Sequence, residues 1–254
     1  MKNYLVANWK INPQSSKECL DLISKYEIKS RHENLEIVVC PPFLYLEYLT
    51  ANSGNLFEWG AQDCFWEKGG AYTGEVSPHQ LKALGVKYVI LGHSERRENL
   101  EETDEMVNKK VRAVLRAKMN PILCVGGGRE AMDPKSDSQK IVLAQLGKNL
   151  ANVQKKDFSA GQLIVSYEPP WALSTVSGNV SASPKLAAEV AFAIKHFLNS
   201  TYGKQGLDIP IIYGGSANAS NVSQFIKKPN LDGFLVGGAS LNPPEFKKMI
   251  SLLK

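Results

Sequence analysis

The side chains best suited to chemistry stand at the carboxyl ends of short apolar runs. Val6, Asn8 and Lys10 alternate along the first run, so with a side-chain period of two Asn8 and Lys10 leave it pointing the same way. The run Tyr88–Leu91 opens into Gly92-His93-Ser94-Glu95-Arg96-Arg97, which sets an imidazole beside one carboxylate and two guanidinium groups at a helix start. A helix N-terminus and neighbouring cations both disfavour imidazolium, so His93 is suited to stay neutral and donate a hydrogen bond. Leu163–Tyr167 is closed by Glu168, a candidate general base if a lid excludes water, and the small, polar stretch Ala172–Ser183 follows it. The last two runs end in Tyr213-Gly214-Gly215-Ser216 and Gly237-Gly238-Ala239-Ser240, where backbone N–H groups can approach an anion. Each feature has a plainer reading on its own: a solvated lysine, charge pairing within Glu95–Arg97, a surface loop, turn glycines. Together they suit proton transfer beside a carbonyl on a small phosphorylated substrate.

These groups need a scaffold that brings many strand ends to one face. The candidate strands are Tyr4–Ala7, Glu36–Cys40, Phe57–Gln62, Tyr88–Leu91, Pro121–Val125, Leu163–Tyr167, Ile209–Tyr213 and Gly233–Val236. Several are nearly continuous Ile/Val/Leu, the pattern of parallel strands buried on both faces. Helical patterns lie between them, clearest over Glu102–Lys118, Ser138–Lys155 and Lys185–Asn199. Ser77-Pro78 and Ser183-Pro184 read as an N-cap hydroxyl followed by proline at the first helical position, and Gln80 is placed to complete a capping box with Ser77. The alternation predicts an α/β fold, a single-domain (β/α)8 barrel over residues 1–254. An open doubly wound sheet is the runner-up, but no G-x-G-x-x-G follows the first strand.

Composition narrows the class. The chain has 254 residues, 43% hydrophobic and 22% charged, which allows a large core without disulfide or metal staples. Net charge is +5, with Lys155–Lys156, Lys227–Lys228 and Lys247–Lys248 scattered rather than gathered, so no nucleic-acid partner is expected. Cys19, Cys40, Cys64 and Cys124 form no CxxC and read as reduced, buried thiols. Neither a secretory h-region nor a membrane-length apolar run is present, and the expectation is a cytoplasmic protein with no membrane partner.

The chain resembles the triosephosphate isomerase family from about residue 3 to the C-terminus. The resemblance rests on Asn8-Trp9-Lys10, Gly92–Arg97, Tyr167-Glu168-Pro169-x-Trp171-Ala172, Tyr213-Gly214-Gly215-Ser216 and Leu235-Val236-Gly237-Gly238-Ala239-Ser240-Leu241, in family order. It implies a TIM barrel that interconverts dihydroxyacetone phosphate and D-glyceraldehyde 3-phosphate through an enediolate, with no cofactor and no metal. By the family's mechanism Glu168 is the base, neutral His93 the electrophile, Lys10 the cation facing the developing charge, and Asn8 an orienting group. Ser174, Ser216, Gly237 and Gly238 would hold the phosphate, with Glu95, Ser94 and Tyr213 in support. A homodimer is implied, in which Thr73 at the tip of the loop Gln62–Ser77 approaches the partner's Asn8 and the partner's Glu95.

The pattern is broken in three places. After Trp171-Ala172 the family has a glycine-containing lid, whereas this chain reads Leu173-Ser174-Thr175-Val176 and runs longer before Ser183-Pro184, which implies altered lid kinetics. Pro170 further stiffens the opening of that segment. After Cys124 stands Val125-Gly126-Gly127-Gly128 where the family carries a glutamate, an expected effect on local rigidity. Asp63 replaces the usual Asn after Gln62 and adds a negative charge beside the dimer loop. Two rival readings stand beside the isomerase: a barrel enzyme acting on another sugar phosphate, and a phosphate-binding barrel with a decayed lid.

Overall fold

The computed structural model describes residues 2–127, 138–169 and 182–254. Strands β1 (Asn3–Asn8), β2 (Leu35–Cys40), β3 (Glu58–Ala61), β4 (Tyr88–Leu91), β5 (Asn120–Val125), β6 (Ile164–Tyr167), β7 (Ile211–Tyr213) and β8 (Gly233–Val236) pair in parallel, in chain order. The order closes through hydrogen bonds between β8 and β1, giving the expected (β/α)8 barrel.

Alternation along the strands sorts their side chains into two buried shells. Val6, Val38, Ile90, Ile122, Cys124, Ile164, Ile212 and Leu235 fill the barrel interior. Their neighbours Ala7, Val39, Val89, Leu123, Val125, Val165, Tyr167, Ile211 and Tyr213 face outward and pack under the helices. Both faces are therefore apolar, which explains why the strands read as unbroken Ile/Val/Leu rather than alternating. A slip of one residue would exchange the shells, so register is strongly specified. In β5–β6 that register sets Cys124 beside Ser166 and Val125 beside Tyr167.

The helices are α1 (Ser16–Lys25), α2 (Phe43–Asn52), α3 (Pro78–Ala83), α4 (Ser94–Asn99), α5 (Asp104–Arg116), α6 (Ser138–Asn149), α7 (Pro184–Tyr202), α8 (Lys204–Leu207), α9 (Val222–Ile226) and α10 (Pro243–Leu253). Their ends follow the capping chemistry. The Ser77 hydroxyl accepts from the Gln80 N–H at 3.3 Å while Gln80 Oε1 accepts from the Ser77 N–H at 2.8 Å, a complete capping box. Ser183 accepts from the Leu186 N–H at 3.1 Å ahead of Pro184. In α5 the Thr103 hydroxyl caps the Met106 N–H at 3.3 Å, and Val107, Val111 and Val114 bury one face.

The helix predicted over Ser138–Lys155 ends earlier, at Asn149. The Asn149 amide turns back to donate to Gln145 O at 2.5 Å, and Asn152 takes the left-handed conformation at φ 61°. Leu150 and Val153 stay buried beyond the true end, so the apolar spacing continues where the helix does not. All four cysteines are free and buried.

Candidate active site

Asn8 and Lys10 emerge together from the end of β1, as the two-residue period requires. Asn8 is buried and its Oδ1 accepts from the Lys10 N–H at 3.1 Å. Lys10 adopts φ 55°, a left-handed conformation that an L side chain resists. Gln62 compensates from the end of β3, its Nε2 donating to Lys10 O at 2.8 Å and to Cys40 O at 2.9 Å. Lys10 Nζ then reaches Glu95 Oε1 at 2.5 Å, an ion pair between the first and fourth strand ends. Sequence reasoning had no role for Gln62; only the closure of β1 against β2 and β3 puts its amide there.

His93 is the N-cap of α4. Its Nδ1 accepts from the Glu95 N–H at 3.2 Å, a bond that needs a lone pair on Nδ1. The ring proton of the neutral tautomer therefore sits on Nε2, which faces Glu168 Oε1 at 3.6 Å. Glu168 is fully buried at the end of β6, and its Oε2 accepts from the Ser94 N–H at 3.0 Å. The Ser94 N–H is an orphan donor of the first turn of α4, so a carboxylate suits that position electrostatically. Oε1 has no hydrogen-bond partner among the described residues.

Close backbone approach surrounds this pair. A Cβ on Gly214 would lie 2.7 Å from Glu168 Cγ, and one on Gly127 would lie 2.5 Å from Ser94 Cβ. The Gly126–Gly127 turn is not loose: Gly126 N–H donates to Gln145 Oε1 at 2.7 Å and Gln145 Nε2 donates to Gly127 O at 2.7 Å. A side chain on α6 thus supplies rigidity where a glutamate was expected.

Asp63, foreseen as an added charge at the dimer loop, is buried inside the chain instead. Lys110 Nζ donates to both of its oxygens at 2.8 Å, and Arg96 Nη2 lies 2.9 Å away. Glu102 joins the cluster, bonding Lys110 and, at 3.2 Å, Arg96 Nε. Burial pushes the Asp63 carboxyl up to about 6 against the pull of Lys110 and Arg96. This network fixes Arg96, and so the turn carrying His93 and Glu95. Arg97 is tied separately, to Gly92 O and Asp104 Oδ1, both at 2.8 Å.

The expected phosphate residues gather at the ends of β7 and β8. Ser216 is half-buried and its carbonyl accepts from Asn221 Nδ2 at 3.2 Å. Gly237 borders Lys10: a Cβ there would lie 3.0 Å from Lys10 Cε. Gly238 is exposed and begins a 3₁₀ turn to Leu241. That turn is anchored from below, since Trp9 Nε1 donates to Tyr26 Oη at 2.8 Å and Tyr26 Oη donates to Ser240 O at 2.5 Å. Tyr213 lies behind the site, stacked on Phe225 at 4.4 Å, with its hydroxyl under Gly215. Thr73 is exposed on a loop whose base is an aromatic stack of Phe65 on Trp66 at 4.1 Å. Ser174 and the longer lid, with Gly128, lie outside the described residues.

The profile of the triosephosphate isomerase family matches residues 3–253. The triosephosphate isomerase of Thermoanaerobacter sp. (strain X514) is 41% identical over 251 residues, covering 97% of this chain and 98% of the relative. The triosephosphate isomerase of Dictyoglomus turgidum is 38% identical over 250 residues, 96% of this chain and 97% of the relative. That of Lactobacillus delbrueckii subsp. bulgaricus is 36% identical over 250 residues, 97% of this chain and 96% of the relative. With a barrel whose strand ends bring Asn8, Lys10, His93, Glu95 and Glu168 together, and with similarity along its whole length, the chain belongs to the triosephosphate isomerase family.

Proposed function

We propose that the protein interconverts dihydroxyacetone phosphate and D-glyceraldehyde 3-phosphate by proton transfer through an enediolate. The single observation that carries this reading is the facing pair, His93 Nε2 to Glu168 Oε1 at 3.6 Å, with Nδ1 of the same ring already occupied by the Glu95 N–H. A neutral imidazole with its proton on Nε2 donates to a carbonyl oxygen, and a carboxylate beside it takes the proton from the adjacent carbon. That division of labour is the known mechanism of this family, carried here by His93 and Glu168. Glu168 returns the proton to the neighbouring carbon after giving up the Ser94 N–H and turning toward the mouth. Lys10, held by Glu95, places a fixed cation against the enediolate charge, and Asn8 orients the substrate. Electrostatic stabilisation of this kind is worth about 2.7–4 kcal/mol per donor. Ser216, Gly237 and Gly238 hold the phosphate through backbone N–H groups, together with Ser174 from the lid.

The working form is a homodimer. Ile11 and Leu44, each 81% exposed, with the exposed Phe43, Tyr48 and Tyr72, are large apolar side chains that a partner subunit would cover. Asp63 does not oppose that contact, because its charge is met by Lys110 and Arg96 within the same chain. The protein acts in the cytoplasm on a small phosphorylated triose, with neither a membrane nor a nucleic acid as partner.

The test is a coupled isomerase assay on glyceraldehyde 3-phosphate, with Glu168→Gln beside the wild type. Turnover that the substitution abolishes supports the reading. Turnover that survives in Glu168→Gln removes Glu168 as the base, and a wild type without turnover leaves a phosphate-binding barrel or a different sugar phosphate.

A further inference from the structure

Ser166 stands in β6 with its side chain inside the barrel, one layer below Glu168. Register pairs it with Cys124 on β5 and with Ile212 on β7. It is fully buried in a layer otherwise apolar, beside Ile164 and Ile212, and its Oγ has no hydrogen-bond partner among the described residues. The same is true of Glu168 Oε1. The two oxygens border one small volume: the point where a Cβ on Gly214 would sit is 2.7 Å from Ser166 Oγ and 3.4 Å from Glu168 Oε1.

Cys124 is the register neighbour of Ser166 on β5, and its thiol feels both groups. Burial holds it protonated, the charge and contact of Glu168 reinforce this, and contact with Ser166 pulls the other way. A protonated thiol is a donor whose sulfur also accepts weakly. A buried hydroxyl without a partner is costly and calls for one. The register neighbour Cys124 offers it a sulfur, and the Glu168 carboxylate borders the same space beside Gly214.

We propose that Ser166 is a positioning residue for Glu168: when Oε2 leaves the Ser94 N–H, the Ser166 hydroxyl turns to donate to Cys124 Sγ and the thiol to Glu168 Oε1, a relay formed in that step that holds the carboxylate from behind. The inference rests on Glu168 being the base. Hydrogen bonds donated to the ionised form of a carboxylate favour that form. His93 Nε2 from the start of α4 also faces the carboxylate, and Arg97, bonded to Gly92 O and Asp104, acts electrostatically on the thiol. Glu95 stands beyond His93, 3.9 Å from its Nδ1, paired with Lys10, while Gly214 on the β7 side brings no charge.

The experiment is Ser166→Ala in the full chain, read by the pH dependence of kcat/KM, by kcat and KM separately, and by thermal melting. The relay predicts a several-fold fall in kcat with KM unchanged, and an acidic limb moved to higher pH because the thiol that faces the carboxylate loses the donor behind it. Ser166→Cys, which keeps a weaker donor, restores part of both. A Ser166→Ala variant with wild-type kcat and an unmoved limb overturns the relay, and a higher melting temperature beside it marks the hydroxyl as a mere unsatisfied group. An inactive wild type sinks the function itself; an active wild type with an indifferent Ser166→Ala sinks only the relay.

Discussion

Gly214→Ala isolates how tightly the barrel grips its base. The added methyl carbon would sit 2.7 Å from Glu168 Cγ and 2.7 Å from Ser166 Oγ. Non-bonded carbons rest at about 3.5–4.0 Å, so against the 2.7 Å available the overlap with Cγ is about 0.8 Å or more. Gly214 is not in the left-handed region, so alanine meets no backbone penalty and the effect is steric alone. Neither neighbour can retreat into solvent, because Ser166 and Glu168 are both fully buried. Overpacking of this kind costs about 1–3 kcal/mol in stability. Moving the carboxylate by a large part of an ångström lowers kcat/KM by up to about 10²-fold. The assay is denaturant unfolding beside the coupled isomerase assay. Gly147→Ala in α6 serves as the control: it meets nothing within 4 Å and should stabilise the protein by about 0.5–1 kcal/mol. If Gly214→Ala unfolds at the wild-type midpoint and keeps kcat/KM within about twofold, the argument for a sterically held base is wrong.

Asp63→Asn tests the buried charge cluster. The folded carboxyl titrates near about 6, above its ordinary 3.8, so the fold favours the protonated form and ionised Asp63 subtracts stability above that range. The neutral amide should therefore be more stable than wild type at pH 8. The gain should shrink as pH falls from about 6 toward 4, where wild-type Asp63 takes up its proton. A less stable Asp63→Asn at pH 8 would show that the pairing with Lys110 and Arg96 outweighs desolvation. Tyr26→Phe removes the link between Trp9 Nε1 and Ser240 O, leaving both unpaired in the core, and should cost about 1–3 kcal/mol. Because Ser240 belongs to the Gly238–Leu241 turn, KM should rise more than kcat falls; an unchanged melt with an unchanged KM removes the turn's anchor from the account.

Much of the site is legible in the residues themselves. Period-two alternation puts Asn8 and Lys10 on one side of β1, and the apolar run ending in Glu168 marks a strand that delivers a carboxylate to the barrel mouth. His93 at a helix start already implies a ring near orphan N–H groups. The tautomer is not legible, because it depends on the Glu95 N–H pointing at Nδ1, a matter of the turn's geometry. Ser166 left a faint signal: a hydroxyl at an inward position between Ile164 and Glu168 breaks the apolar pattern of the strand. Gln62, Gln145 and Tyr26 left none, since each acts on a segment distant in the chain.

The sequence alone determines the strands, the caps of α3 and α7, the closed barrel and the types of group at its mouth. Those follow from local propensity, side-chain period and turn chemistry, which need only neighbouring residues. Tertiary structure decides what the groups are doing: that Lys10 is held by Glu95 and Gln62, that Glu168 is parked on the Ser94 N–H, and that Asp63 turns inward to Lys110 rather than outward. Each of these is set by where two strand ends meet around the barrel, with burial fixing the cost of leaving a charge unpaired. Residues far apart in the chain acquire their chemistry only when closure of β8 on β1 brings the strand ends onto one rim.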